Sequence, residues 1–306
     1  MGKVREIRIP MAKLSTSAPW HFAAFAIALI PAAAISFAAG NRFQVISAGL
    51  SSVSAVLSLA IMKEVFRKRN FLVVPIGIAL GCSVAFIIPK GAPIWISPLI
   101  VCIASVVSQL MSLQSSVRIN MGLVALALAL AARYALGFAL APVPDILSGI
   151  DPDKITHDIV SALLDEGKNA YPAYSPFALI PAAVILLAMG VVRAKSLLYT
   201  FAGAALVIAV LFLTGHEILL LAGWRIALAP FIFVSLFFFH DPLSSSKTYA
   251  GRSATSFLSG ALWSLIFLKT GNVLLATASI LAVNLSTPLI DKITVPRPFG
   301  PVESKK

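Results

Sequence analysis

The sequence predicts an all-α integral membrane protein of about ten transmembrane helices, built as two inverted five-helix repeats. Three observations carry that expectation. Apolar residues make up 59% of the 306-residue chain and charged residues 12%, about half the charged share of an ordinary soluble domain. The apolar residues gather into ten runs, at about 21–40, 44–62, 71–89, 93–113, 120–141, 174–192, 196–214, 218–239, 253–270 and 272–290, most of them close to the ~20 residues that a bilayer-spanning helix needs. Finally, Ala28 to Ile35 reads ALIPAAAI and Ala178 to Ile185 reads ALIPAAVI, seven of eight positions alike at an offset of 150. The two copies open runs one and six. Five helices is an odd number, so the halves, about 20–141 and 174–290 in a single polytopic domain, are expected to face opposite ways.

Each run has its own justification. In hydrocarbon every backbone N–H and C=O needs an internal partner, so long apolar runs are helices; the strict alternation of a membrane barrel is absent. Met1 to Leu14 is basic and lacks the short apolar stretch of a cleavable signal. Run one contains Pro31, and its counterpart, run six, contains Pro181; Pro75, Pro98, Pro230 and Pro288 interrupt others. Run three carries Gly77 and Gly81, a spacing that lets two helices approach closely. Run five opens at Asn120 and holds Arg133. The connection 142–173 contains half of the chain's acids and, at Ile155, Ile159 and Leu163, the spacing of a short surface-lying amphipathic helix. Run eight is interrupted by Arg225 and closes on His240-Asp241-Pro242; run nine is short.

The net charge of +12 is distributed in a way that fixes orientation rather than pointing to nucleic acid. With a cytoplasmic N-terminus, 17 of the 24 Lys and Arg residues fall in inside segments and five in outside loops. The positive-inside rule then places both termini in the cytoplasm, across a bacterial-type inner membrane.

Residues able to carry chemistry are few. Cys82 and Cys102 lie within apolar runs and are too few for a closed metal site. The histidines, His21, His157, His216 and His240, are scattered over different segments, and no nucleophile triad, phosphate loop or metal-spaced cluster is present. No catalytic or metal-ligating residue is assigned. Intramembrane charges are Arg133, Glu217 and Arg225. Arg133 must pair or reach water, and Glu217 is its natural partner; such a pair serves structure at least as well as substrate. His240 and Asp241 read either as a helix end stopped by Pro242 or as the rim of a pocket in which Asp241 accepts a hydrogen bond from a ring N–H.

The C-terminal quarter resembles a known family. Phe231 to Arg252 reads FIFVSLFFFHDPLSSSKTYAGR, and the chain closes on Leu289-Ile290-Asp291-Lys292-Ile293-Thr294-Val295-Pro296-Arg297-Pro298-Phe299-Gly300. Both resemble the end of the membrane subunits RnfD and NqrB, of the Rnf complex and the sodium-translocating NADH:quinone oxidoreductase, where a Thr-Asp-Pro turn follows an aromatic helix and a similar Asp-containing segment ends the chain. Ser17 to His21, Leu29 to Ala32, the basic loop Lys63 to Arg69 and Pro93-Ile94-Trp95 are similar to that family's earlier segments. The chain departs from it at Arg69 to Val73, where the family has Asp-Gly-Ser, and at Gln114 to Asn120, where only Asn120 stands for an asparagine of the family's Asn-Pro turn.

The resemblance implies a membrane electron-transport subunit working through flavin with partner subunits. In the family a threonine of an Asp-x-x-Ser/Thr-Gly-Ala-Thr motif carries FMN covalently. Here the outer loop has only Thr156, preceded by Ile155, and Ser253-Ala254-Thr255 lacks the glycine and has Tyr249 in place of the aspartate. The expectation is therefore FMN or riboflavin held without a covalent bond, near Asn120, His240 and Asp241. Two alternatives stay open: a small-molecule channel or transporter on the same inverted-repeat plan, and a stand-alone family member recruited to a biosynthetic pathway.

Overall fold

The computed structural model describes residues 21–38, 40–65, 73–88, 92–114, 119–136, 176–215, 228–241 and 244–294. Ten helices run through them in chain order: α1 (His21–Ala38), α2 (Arg42–Val65), α3 (Val73–Ile87), α4 (Ile96–Gln114), α5 (Met121–Leu136), α6 (Pro176–Ala188), α7 (Ala194–Leu213), α8 (Leu228–Phe237), α9 (Tyr249–Thr270) and α10 (Val273–Thr294). Among the described residues there is no strand. By length and composition α1, α2, α7 and α10 can each cross a membrane, and α3, α4, α5, α6 and α8 are shorter apolar helices. The 24 residues of α2 give about 36 Å at 1.5 Å per residue, more than the ~30 Å hydrocarbon core. Large apolar side chains face outward along the spans, including Phe37, Ile61, Phe177 and Leu198; a lipid-facing surface has no reason to hide them.

Four helices, α2, α7, α9 and α10, are longer than the apolar runs that mark them, and the last two bear on the site. Run nine does not begin at 253: α9 starts at Tyr249, because Thr248 takes the N-cap and its Oγ1 accepts from the Gly251 N–H at 2.9 Å. Ser253 and Thr255 are consequently not caps; their hydroxyls donate back to the carbonyls of Tyr249 and Arg252. At the other end of the chain, Asp291 to Thr294 is not a loop after run ten but the last turn of α10.

The related segments at Ala28 and Ala178 fold alike. Ala28, Leu29 and Ala32 are buried, as are Ala178, Leu179 and Ala182, while Ile30 and Ile180 are both about 60% exposed, at 60% and 64%. Both helices end on a left-handed glycine, Gly40 (φ 72°) and Gly190 (φ 66°). Gly40 N–H donates to Phe37 O and Asn41 N–H to Ser36 O; Gly190 N–H donates to Leu187 O and Val191 N–H to Leu186 O. Each is the two-bond Schellman ending that uses a residue without a Cβ to satisfy the last carbonyls. In the packing, α2 lies against α3 and α4, α7 against α9, and α4 and α9 against α5 and α10 respectively; α1 meets α6, and α5 meets α10.

Small residues allow the closest approaches. A Cβ on Gly81 would overlap the Ser52 amide on α2, and one on Gly77 would lie 2.8 Å from the Val56 nitrogen. Between α7 and α9 the arrangement is reciprocal: Gly203 faces the Phe257 carbonyl and Gly260 faces the Thr200 carbonyl, with no room for a methyl in either direction.

Candidate functional site

The starts of α1, α3 and α5 and the end of α8 converge on one side of the bundle, as alternating spans require. Between them lies a cavity of about 50 Å³, walled by Phe22, Phe25, Asn120, Phe237, Phe238 and Asp241 together with small and aliphatic residues of α3. Two of the three residues expected to meet a cofactor, Asn120 and Asp241, are thus brought to one cavity, although they are far apart in the chain.

Asn120 is buried and makes four hydrogen bonds. Its Oδ1 accepts from Gly122 N–H (2.9 Å) and Leu123 N–H (3.2 Å), which makes it the N-cap of α5. Its Nδ2 donates to Phe238 O at 3.1 Å, and its own N–H donates to Asn284 Oδ1 at 3.0 Å. Asn284 in turn donates to Ser244 O at 3.4 Å. Gly122 keeps this junction compact, since a Cβ there would lie 2.9 Å from the Phe238 ring.

The turn after α8 is held from two sides. Ser244 Oγ donates to Asp241 Oδ2 at 2.8 Å. Asp291 on α10 accepts from Ser246 Oγ and from the Lys247 N–H, at 3.1 and 3.2 Å to its two oxygens. Thr248 and Thr294 share a hydroxyl–hydroxyl bond of 2.6 Å. Two polar residues of the C-terminal signature, Asp291 and Thr294, therefore fasten the segment that follows Asp241.

His240 is placed differently. It is 9% exposed, it does not line the cavity, and its Nε2 is buried without a hydrogen-bond partner. Burial pushes its pKa down from 6.5 to about 4, so the imidazole is neutral.

Away from the cavity mouth, rings continue inward: Phe22–Phe25 (6.4 Å between centroids), Phe25–Phe237 (5.9 Å), Phe237–Phe233 (4.9 Å) and Phe233–Phe86 (6.3 Å, edge to face). Arg133 is half-buried on α5, with its guanidinium 5.8 Å from the Tyr134 ring centroid. Glu217 and Arg225, the loop 142–173 with Thr156 and the segment 295–300 lie outside the described residues. Cys82 and Cys102 are free and half-buried, Ser52 Oγ lying 3.3 Å from Cys82 Sγ. Among the described residues no group of His, Cys, Asp and Glu has metal-binding proximity.

Sequence reasoning overlooked three contributors: Phe22, Phe25 and Asn284. Asn284 left a readable signal, a lone carboxamide inside an apolar run. The two phenylalanines left none, since an aromatic at the start of a span is ordinary membrane composition.

No curated protein is similar enough to this chain to count as a match. A family model, that of the NQR2, RnfD, RnfE family, matches residues 9–300, nearly the whole chain. With nine apolar helices among the described residues, and Asp291 and Thr294 of the C-terminal signature bonded to the turn before α9, this multi-pass membrane protein belongs to the NQR2, RnfD, RnfE family.

Proposed function

We propose that the protein is the membrane subunit of a flavin-linked electron-transport system of the Rnf/Nqr type, and that it takes FMN or riboflavin without a covalent bond. The observation that carries this reading is the convergence of Asn120, Asp241 and four phenylalanines on one cavity at one end of the bundle. Aromatic and aliphatic walls suit a flat ring system, and a carboxylate, here Asp241 held by Ser244, suits a ring N–H. Asn120 acts by holding the end of α8 against α5. The cavity of about 50 Å³ is well below the ~300–1,000 Å³ of small-molecule sites, so entry of a ring requires the Phe22–Phe25 edge of α1 to swing away. When bound, the flavin supplies the electron-transfer chemistry; the chain binds it and excludes water.

The architecture proposed with it is a pair of inverted five-helix halves, supported by the matched Schellman endings 150 residues apart and by the α1–α6 and α5–α10 contacts, which pair like with like. Both termini are proposed to be cytoplasmic, in an inner membrane, beside other membrane subunits; the charge bias and the family support this.

The test is co-expression with a flavin transferase, then a denaturing gel under ultraviolet light beside a spectrum of the native protein. A yellow native protein with no fluorescent band, its colour lost in Asp241→Ala, is the expected result. A fluorescent band abolished by Thr156→Ala or Thr255→Ala would restore covalent attachment and overturn the non-covalent reading.

One observation favours a second reading, a polar transport path. Ser36 Oγ, Gln44 Nε2 and Ser47 Oγ are buried without partners at the α1–α2 corner. A colourless protein that conducts a small solute in liposomes would favour it.

A further inference from the structure

A second concavity lies where the end of α6 meets the starts of α7 and α9, on the same side of the bundle as the Asn120 cavity. It is an open groove of about 450 Å³, and its wall includes Arg193, Lys195 and Arg252, with no Asp or Glu among the described residues that line it. We propose that this groove is a binding site for the phosphate head of an anionic phospholipid. The site is independent of the flavin reading.

The charge is concentrated and only partly offset. Arg193 and Arg252 come from different helices and sense each other's charge. Arg252 donates through Nε to Thr248 O and through a terminal nitrogen to Lys247 O, both at 3.4 Å, so carbonyls rather than a carboxylate hold its guanidinium in place. Asp291 is the acid that Arg252 also senses, but its two oxygens already accept from Ser246 and Lys247. Three cations in the wall against one acid outside it leave the groove net positive, which suits an anion from outside the chain.

The backbone adds to this demand. The N-cap of α7 is Arg193, and no side chain caps that terminus. Residues 194–196 of the first turn line the groove, and a helix N-terminus carries partial positive charge. The volume falls within the range of about 300–1,000 Å³ typical of small-molecule sites.

A lipid fits better than a free phosphate because the wall turns apolar toward the spans. Leu187 and Val192 line the groove, and the next turn of α7 presents Leu198, 67% exposed. Tyr199 and Tyr249 are also exposed there, amphipathic rings at the level where spans meet water. A headgroup between the cations would lay its acyl chains along Leu198. Basic pockets between membrane helices are where anionic headgroups are held.

The test is native mass spectrometry of the full chain in detergent, with phosphatidylglycerol, phosphatidylcholine and inorganic phosphate added in separate arms. Phosphatidylglycerol is expected to be retained at least about fivefold over phosphatidylcholine, and each of Arg193→Gln and Lys195→Gln should cost about fivefold in retention. Both side chains are exposed, so these variants should keep the wild-type melting temperature. Lys269→Gln, at the opposite end of α9, should change nothing. Equal retention of the two lipids, or retention indifferent to the groove variants, overturns the proposal. Binding of inorganic phosphate without retention of phosphatidylglycerol overturns the lipid assignment, leaving the groove as a site for a free anion.

Discussion

Asn120 Nδ2 donates to the carbonyl of Phe238 at 3.1 Å, joining the start of α5 to the end of α8 across 118 residues of chain. The same side chain caps α5, so one residue both starts a helix and positions the last turn of another. Asn120→Ala should remove the cap, worth about 1 kcal/mol, and leave a buried carbonyl unsatisfied at a further ~1–3 kcal/mol. Asn120→Asp should keep the cap but replace the donor to Phe238 by an oxygen that faces its carbonyl. Thermal unfolding in detergent should rank them wild type, Asp, Ala in falling order; equal melting temperatures for wild type and Ala would refute the junction.

Gly81→Ala and Gly260→Ala should be among the most damaging methyl additions in the protein. In both, the new carbon meets backbone of the neighbouring helix, which cannot rotate away, at a cost of about 1–3 kcal/mol or more. Gly49→Ala, which meets nothing within 4 Å, should be neutral or slightly stabilising. Folded yield by size-exclusion chromatography separates the outcomes.

Asp291→Ala should free the 241–248 turn, since Ser246 Oγ and the Lys247 N–H both lose their acceptor. Trypsin should then cut after Lys247 faster than in the wild type, while Asp291→Asn, which keeps one acceptor oxygen, should lie between. Unchanged cleavage would mean that the turn is held by Thr248 and Thr294 alone.

Stability should fall with pH through His240. The folded chain refuses the proton until about pH 4, whereas the unfolded chain accepts it below about 6.5. The unfolded state therefore binds more protons between those values, and stability drops as pH falls through that window, by about 3 kcal/mol at its acid end. His240→Phe should flatten the dependence of the melting temperature between pH 7 and 4.5. A slope indifferent to that substitution would place the titration elsewhere.

Orientation is checked by labelling. Cysteines introduced at Ser148 and Ala170, in a chain with Cys82 and Cys102 replaced, should react with an impermeant reagent from outside, and those at Ser245 and Ser304 should not. Labelling at Ser304 from outside would reverse the assignment drawn from the charge bias.

The sequence by itself determined the class, the number of helices and the family, because lipid forces every span to be a long apolar run and those runs are countable. It also marked the two similar segments, Ala28 to Ile35 and Ala178 to Ile185, since each is a continuous string. It named Asn120 and Asp241 but not what they do. Only the tertiary structure revealed that Asn120 bonds Gly122, Leu123, Phe238 and Asn284, and that His240 does not line the cavity its neighbour lines. The end of α10 was misjudged for the same reason. Asp291 in the last turn of α10 finds its partners on another segment, whereas the Thr248 cap of α9 is a local bond from Gly251. Hydropathy reports the cost of placing a residue in lipid. It carries no information about which distant carbonyl, hydroxyl or ring satisfies that residue, and those pairings build both the cavity and the basic groove.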